Sequence, residues 1–299
     1  MTETTLISKN ANFSWNFLDY PIHAISEKPK ELVKDVAILL IHGFGASTDH
    51  WRFNIPVLSS KFEVHAMDLL GFGKSHKPND VEYSGSLWKD QVIAYVREQI
   101  KRPTIIVGNS LGGYAALAAG AELKDLSAGV ILLNAAGYFS EEKLVKKNML
   151  QTSIETVAGI LLKNIVLQRV IFENMRKPST IKKTLKQVYI DKKNVDDYLV
   201  DSIRNPSLDK GAFNVFRSVF NPSGPQGEPM DELFKKLASP LLLLWGSKDP
   251  WMNTPKKRGL YKKFTPKNTT EVILEAGHCP HDEVPELVNK NILDWIESL

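Results

Sequence analysis

The chain has a single cysteine, Cys279, in 299 residues. It can therefore form no internal disulfide and no paired-cysteine metal or redox site, a usage that fits a reducing compartment. Long apolar runs are missing as well. The longest, Val36 to Ile41, falls far short of the ~18 residues that a membrane span requires. The opening residues, MTETTLISKN, lack the basic start and apolar centre of a secretory signal, so a cytoplasmic location is expected. A large excess of either charge sign is absent as well. The 38 Lys plus Arg face 34 Asp plus Glu, a net charge of +4 that gives no pointer to nucleic acid. There is no internal repeat and no low-complexity tract. Neither a phosphate-cradling loop nor a zinc-ligand spacing occurs, so no metal and no organic cofactor is expected.

What remains is a globular composition, 43% hydrophobic and 24% charged. Six short apolar runs read as strands: Val36–Ile41, Phe62–Met67, Thr104–Val107, Val130–Leu133, Leu241–Trp245 and Val272–Leu274. The first is apolar throughout, as in a strand covered on both faces. Trp15 to Ile25 alternates enough for a hairpin or edge strand. Helical patterns separate most of the strands: Ser86 to Gln99, the Ala-rich Leu111 to Ala121, and a closing helix with Val284, Leu287, Val288, Ile292, Trp295 and Ile296 on one face. Strands alternating with helices predict an α/β fold with a mainly parallel sheet. Residues 138–230 interrupt this rhythm with helical periodicity and no strand. They predict a helical lid inserted into a core made of residues 1–137 and 231–299.

The chemistry concentrates at strand ends. Gly108-Asn109-Ser110-Leu111-Gly112 matches the nucleophile elbow G-x-S-x-G, entered by a β-rich run and left by a helical one. Its glycines let a serine sit on a sharp turn at a helix N-terminus, where backbone N–H groups favour developing negative charge. A serine hydroxyl needs a base, and the base needs an orienting acid. Asp249 follows the Leu241–Trp245 strand, and His278 follows Val272–Leu274, in the chain order Ser, acid, His that this elbow requires. Ser110, Asp249 and His278 are thus the expected catalytic residues. The oxyanion donors are expected to be the backbone N–H groups of Leu111 and of Phe44, in the loop His42-Gly43-Phe44-Gly45 after the first strand. His281 and Asp68 are less well placed rivals. Cys279 reads as a small buried thiol.

Taken together these residues resemble the α/β-hydrolase superfamily, from about Trp15 to Leu299. The resemblance implies an eight-stranded, mainly parallel sheet flanked by helices, with the two further strands near the N-terminus and the lid between the sixth and seventh strands. More narrowly, HGFGASTDHW (His42 to Trp51), MDLLGFGKSHKP (Met67 to Pro78), VGNSLGG (Val107 to Gly113) and AGHCPHDEVPE (Ala276 to Glu286) resemble a plant and cyanobacterial group that includes pheophytinase and chlorophyll dephytylase. That likeness implies hydrolysis of a bulky apolar ester, of which a chlorophyll-type phytyl ester is the narrower expectation. Related dehalogenases and epoxide hydrolases carry Asp where this chain has Ser110. Carbon–carbon hydrolases of ring-cleavage type share the Asn109 position but place Trp where this chain has Cys279. That activity and a slow-turnover, receptor-like ligand binder stand as alternatives.

The lid is expected to set substrate choice. Tyr138, Phe139, Phe216 and Trp251 are the candidate substrate-binding residues, with Met149, Leu150, Phe213 and Phe220 as further apolar positions. Tyr138 to Lys210 carries 14 Lys plus Arg against 9 Asp plus Glu. This basic stretch reads as a solvated face, with peripheral contact to an anionic membrane as the competing reading. Nothing in the sequence indicates the oligomeric state.

Overall fold

The computed structural model describes residues 12–144, 164–221, 227–252 and 255–299. Met149 and Leu150 lie outside the described residues. An eight-stranded sheet runs in the order β1-β2-β4-β3-β5-β6-β7-β8. Its strands are β1 (Asn12–Phe17), β2 (Tyr20–Glu27), β3 (Ala37–Ile41), β4 (Glu63–Met67), β5 (Thr104–Asn109), β6 (Ser127–Leu133), β7 (Leu241–Gly246) and β8 (Thr270–Leu274). β1 and β2 form an antiparallel hairpin closed by Leu18 and Asp19, both at positive φ. β2 also pairs antiparallel with β4, and every other pairing is parallel.

The apolar run of β3 is buried at every position because the sheet is covered on both faces. Leu39 and Ile41 pack into one layer with the helices Gly85–Tyr95 and Leu111–Leu123, whereas Ile38 and Leu40 pack into the other against the closing helix Pro285–Ser298. The Ala-rich composition of Leu111–Leu123 follows from its close approach to the sheet. A Cβ on Gly112 would stand 2.4 Å from the carbonyl oxygens of Ile41 and His42.

Register brings the chemistry to one rim. Ile41 lies level with Gly108, Asn109 with Leu133, Leu133 with Leu244, and Gly246 with Leu274. The loops that leave these residues therefore gather at the carboxyl ends of the strands, where open α/β sheets bind ligands.

Between β6 and β7, the described residues hold helices and no strand, chiefly Ile165–Met175, Pro178–Val188, Asp197–Arg204 and Ala212–Val219. Their apolar faces form two small clusters, one of which includes Cys279 of the body. Met230–Lys236 packs back on the body, with Met230, Leu233 and Phe234 in its core. Among the described residues no helix is long and apolar enough to cross a membrane.

Candidate active site

Ser110 occupies a sharp turn between β5 and the helix Leu111–Leu123, with φ 52° and ψ −117°. Such a backbone is strained for any residue with a side chain and persists only where its surroundings hold it. Here they do. The Ser110 N–H donates to the Leu133 carbonyl at 3.1 Å, and the Ser110 carbonyl accepts from Gly113, Tyr114 and Ala136 N–H groups at 3.0, 3.3 and 2.9 Å. A Cβ on Gly108 would stand 2.2 Å from the Gly112 carbonyl oxygen, so the turn closes only without one.

The acid and base meet across the ends of β7 and β8. His278 Nδ1 donates to Asp249 Oδ2 at 2.7 Å, with both side chains buried. Asp249 Oδ1 accepts from the Trp251 and Met252 N–H groups at 2.7 and 3.2 Å, which fixes the carboxylate. An ionised carboxylate only accepts, so the imidazole proton resides on Nδ1 and leaves Nε2 as the basic nitrogen.

Two asparagines hold this loop against the elbow. The Asn109 and Asn134 side-chain amides donate to the His278 carbonyl at 3.0 and 3.1 Å, and Asn134 Oδ1 accepts from Gly246 N–H at 3.0 Å. Asn134 thereby joins the ends of β6, β7 and β8. The sequence does not single it out, since its partners Gly246 and His278 lie more than 100 residues away. Its φ of 43°, a left-handed backbone that Asn tolerates, was the available signal once the strand end was known.

The loop after β3 lies against the elbow, since a Cβ on Gly43 would be 3.3 Å from Ser110 Cβ. His42 shapes it. Leu69 N–H donates to His42 Nε2 at 3.0 Å, which places the ring proton on Nδ1, facing the Gly43 carbonyl at 2.7 Å. Burial pushes the His42 pKa down, in keeping with this neutral tautomer. Asp68 accepts from Thr48 and Lys74 N–H groups at 2.6 and 2.7 Å, a structural part rather than a catalytic one. Phe44 stacks edge-on against Phe72 and Phe220 at 5.6 and 5.2 Å. Gly43, the residue before Phe44, thus lies against Ser110, and Leu111 follows Ser110 in the chain.

Next to Phe44 opens a cavity of about 120 Å³, walled in part by Phe72, Phe172, Val215 and Phe216. Of the sequence candidates for substrate contact, Phe216 faces this cavity. Phe139 does not, and the expectation for it is corrected. It is fully buried in the body core between Phe234, Tyr261 and Phe264. Tyr138 lies outside the cavity wall, its hydroxyl donating to the Gly227 carbonyl at 2.8 Å. Trp251 is half exposed and packs edge-on at 4.8 Å on the ring of His278, beside the base instead of within the cavity. Phe213 stacks on Phe172. Helical periodicity marks an apolar face, but what that face meets depends on elements far away in sequence.

Among the described residues, two cations stand at the edge of the cavity, and both are occupied. Lys77 Nζ binds the Gly73 and Ser75 carbonyls at 2.7 and 3.1 Å and Asp209 at 2.8 Å. Arg176 pairs with Glu173 and donates to the Ser207 carbonyl at 3.2 Å. Among the described residues no group of three or more His, Cys, Asp or Glu is placed to hold a metal.

Behind the base, His50 Nε2 lies 2.8 Å from the Tyr189 hydroxyl, and that hydroxyl donates to Asp282 at 3.0 Å. Burial drives the His50 pKa from 6.5 down to about 3. Burial likewise pushes His281 well down. In the unfolded chain these imidazoles take up protons below the ordinary histidine pKa, while in the folded chain they stay neutral. The unfolded state then binds more protons, so stability is complete above pH 6.5 and declines as pH falls toward 3. The slope reaches about 1.4 kcal/mol per pH unit for each such histidine. A melting temperature clearly lower at about pH 5 than at about pH 7 is expected, with a smaller drop in His50→Gln. A flat profile in thermal melts would contradict this burial argument.

A family model described as the alpha/beta hydrolase fold matches residues 36–285. A chloroplastic pheophytinase of Arabidopsis thaliana is 30% identical over 88% of this chain, and this chain spans 61% of that relative's length. A Bacillus subtilis relative named as the uncharacterized hydrolase YugF is 26% identical, over 87% of this chain and 89% of its own. A crystal structure of a membrane phospholipase A, described as a bacterial virulence factor, superposes with a TM-score of 0.75 at 24% identity, covering 96% of this chain and 86% of that one. That last likeness bears on the fold alone.

Proposed function

This chain belongs to the α/β-hydrolase family, and from that premise we propose that it is a serine hydrolase of carboxylic esters. One observation carries the reading. A serine on a strained elbow shares its rim with a buried His278–Asp249 pair at 2.7 Å, and the two are tied by the Asn109 amide. His278 Nε2 takes the Ser110 proton as the hydroxyl oxygen attacks the ester carbonyl carbon. The backbone N–H groups of Phe44 and Leu111 receive the oxyanion, and His278 returns the proton to the departing alcohol. Water then attacks the acyl-serine by the same path and releases the acid. Asp249 holds the imidazole tautomer and balances its charge throughout.

The cavity supports an apolar ester. Its described walls are mainly aromatic and aliphatic, and Lys77 and Arg176 are neutralised by their own partners, so among the described residues an anionic group finds no free cation there. The same point speaks against a ring-cleavage dienoate, which carries a carboxylate. A chlorophyll-type phytyl ester is the narrower reading, supported by the likeness to a relative named pheophytinase. Covalent labelling by a fluorophosphonate, mapped by mass spectrometry, tests the class of activity. A single adduct on Ser110 is expected, and absence of any adduct would reject the serine-hydrolase reading along with its ester chemistry. Incubation with pheophytin tests the narrower reading through released phytol, whose absence would remove it.

A further inference from the structure

Among the ties that join the helices between β6 and β7 to the body, two differ in character. Over the cavity, buried Lys77 reaches Asp209 at 2.8 Å. Behind the base the tie is closer and runs through main chain. The Val188 carbonyl, at the end of the helix Pro178–Val188, accepts the N–H of His278 itself at 2.8 Å. A Cβ on Gly277 would stand 1.9 Å from that same oxygen, so the residue before the base has to be glycine because the inserted segment rests on it. Glu283 completes the junction. Its Oε1 accepts from the Ile190 and Asp191 N–H groups at 2.8 and 2.9 Å, while Oε2 accepts from the Gly277 N–H at 2.8 Å. Glu283 is almost fully buried, where an acceptor-only carboxylate facing three N–H donors is well matched.

We propose that Glu283 is a positioning residue that makes the orientation of His278 depend on the seating of the segment Val188–Asp191, whereas the Lys77–Asp209 tie governs the cavity. The inference rests on the serine-hydrolase reading for its kinetic form. The segment expected from sequence to be a lid is on this side part of the support of His278. One carboxylate grips the inserted segment with one oxygen and the residue before the base with the other. Movement of either therefore strains the other, and a base displaced by about 1 Å loses on the order of 100-fold in rate. No such coupling reaches the base from Lys77, whose partners are the Gly73 and Ser75 carbonyls and Asp209.

Kinetics on a p-nitrophenyl ester separate the two ties. Glu283→Gln keeps one acceptor oxygen and should lower kcat roughly 10-fold with KM within about twofold, and Glu283→Ala should lower kcat further, toward 100-fold. Lys77→Met should raise KM and leave kcat nearly as it was. The proton NMR signal of His278 Nδ1–H supplies a readout that needs no substrate. It should broaden in Glu283→Gln and persist in Lys77→Met, with both variants melting cooperatively. Wild-type kcat in Glu283→Gln, a change confined to KM, or an unaltered Nδ1–H signal would overturn the positioning role. Failure of the hydrolase reading looks different, as an intact Nδ1–H signal in a wild-type protein whose Ser110 takes no fluorophosphonate.

Discussion

Replacing Ser110 by alanine is expected to lower kcat toward a p-nitrophenyl ester by about 10⁶-fold, the scale seen when a serine nucleophile is removed. The loss is chemical. The elbow is held through backbone groups, with the Ser110 N–H on Leu133 and its carbonyl receiving three N–H donors, all of which alanine keeps. Alanine tolerates the φ of 52° no better and no worse than serine, since both carry a Cβ. The cavity wall contains no atom of residue 110, so KM should stay within a few-fold. Some rate above the uncatalysed reaction, about 10³- to 10⁴-fold, survives in such variants through the oxyanion donors and substrate binding. Steady-state kinetics beside a thermal melt decide the matter. Equal turnover in Ser110→Ala and wild type would reject the nucleophile and with it the proposed cycle.

Asp249→Asn is expected to lower kcat by about 10⁴-fold while leaving the fold in place. Asparagine has the same shape, and its oxygen can still accept from the Trp251 and Met252 N–H groups. Its NH₂, however, must then face His278 Nδ1, a position where the carboxylate now accepts at 2.7 Å. A donor there drives the imidazole proton to Nε2, the nitrogen that must be free to take the Ser110 proton. The charge that balances the imidazolium is lost too. Because Asp249 does not line the cavity, KM should change little. A variant that loses binding but keeps kcat would show that Asp249 serves structure alone.

The elements that local chemistry specifies were legible in the chain. Val36–Ile41 had to be buried on both faces because every position is apolar, and β3 is so buried. Ser110, Asp249 and His278 stood out as candidates because each follows a short apolar run, and a parallel sheet places all such ends on one rim. The edge of the reading shows at the inserted helices. Phe139 and Phe216 looked alike as aromatic residues on helical patterns, yet Phe139 is sealed in the body by Phe234 and Tyr261 while Phe216 faces the cavity.

The supporting contacts were equally hidden. Asn134 reaches Gly246 across 112 residues, Glu283 reaches Ile190 across 93, and Arg52 reaches the buried Asp282 across 230. No periodicity or spacing encodes such partners, because a hydrogen bond forms only where two distant segments are brought within about 3 Å. The sequence by itself determined the sheet, the elbow and the order of the reactive residues, since these follow from hydrophobic period and from glycines that a turn demands. The tertiary structure alone decided which aromatic rings wall the cavity, that Lys77 and Arg176 are spent on internal partners, and that Gly277, the residue before His278, is pinned beneath Val188. Those outcomes depend on burial and proximity, which exist only after the chain has packed.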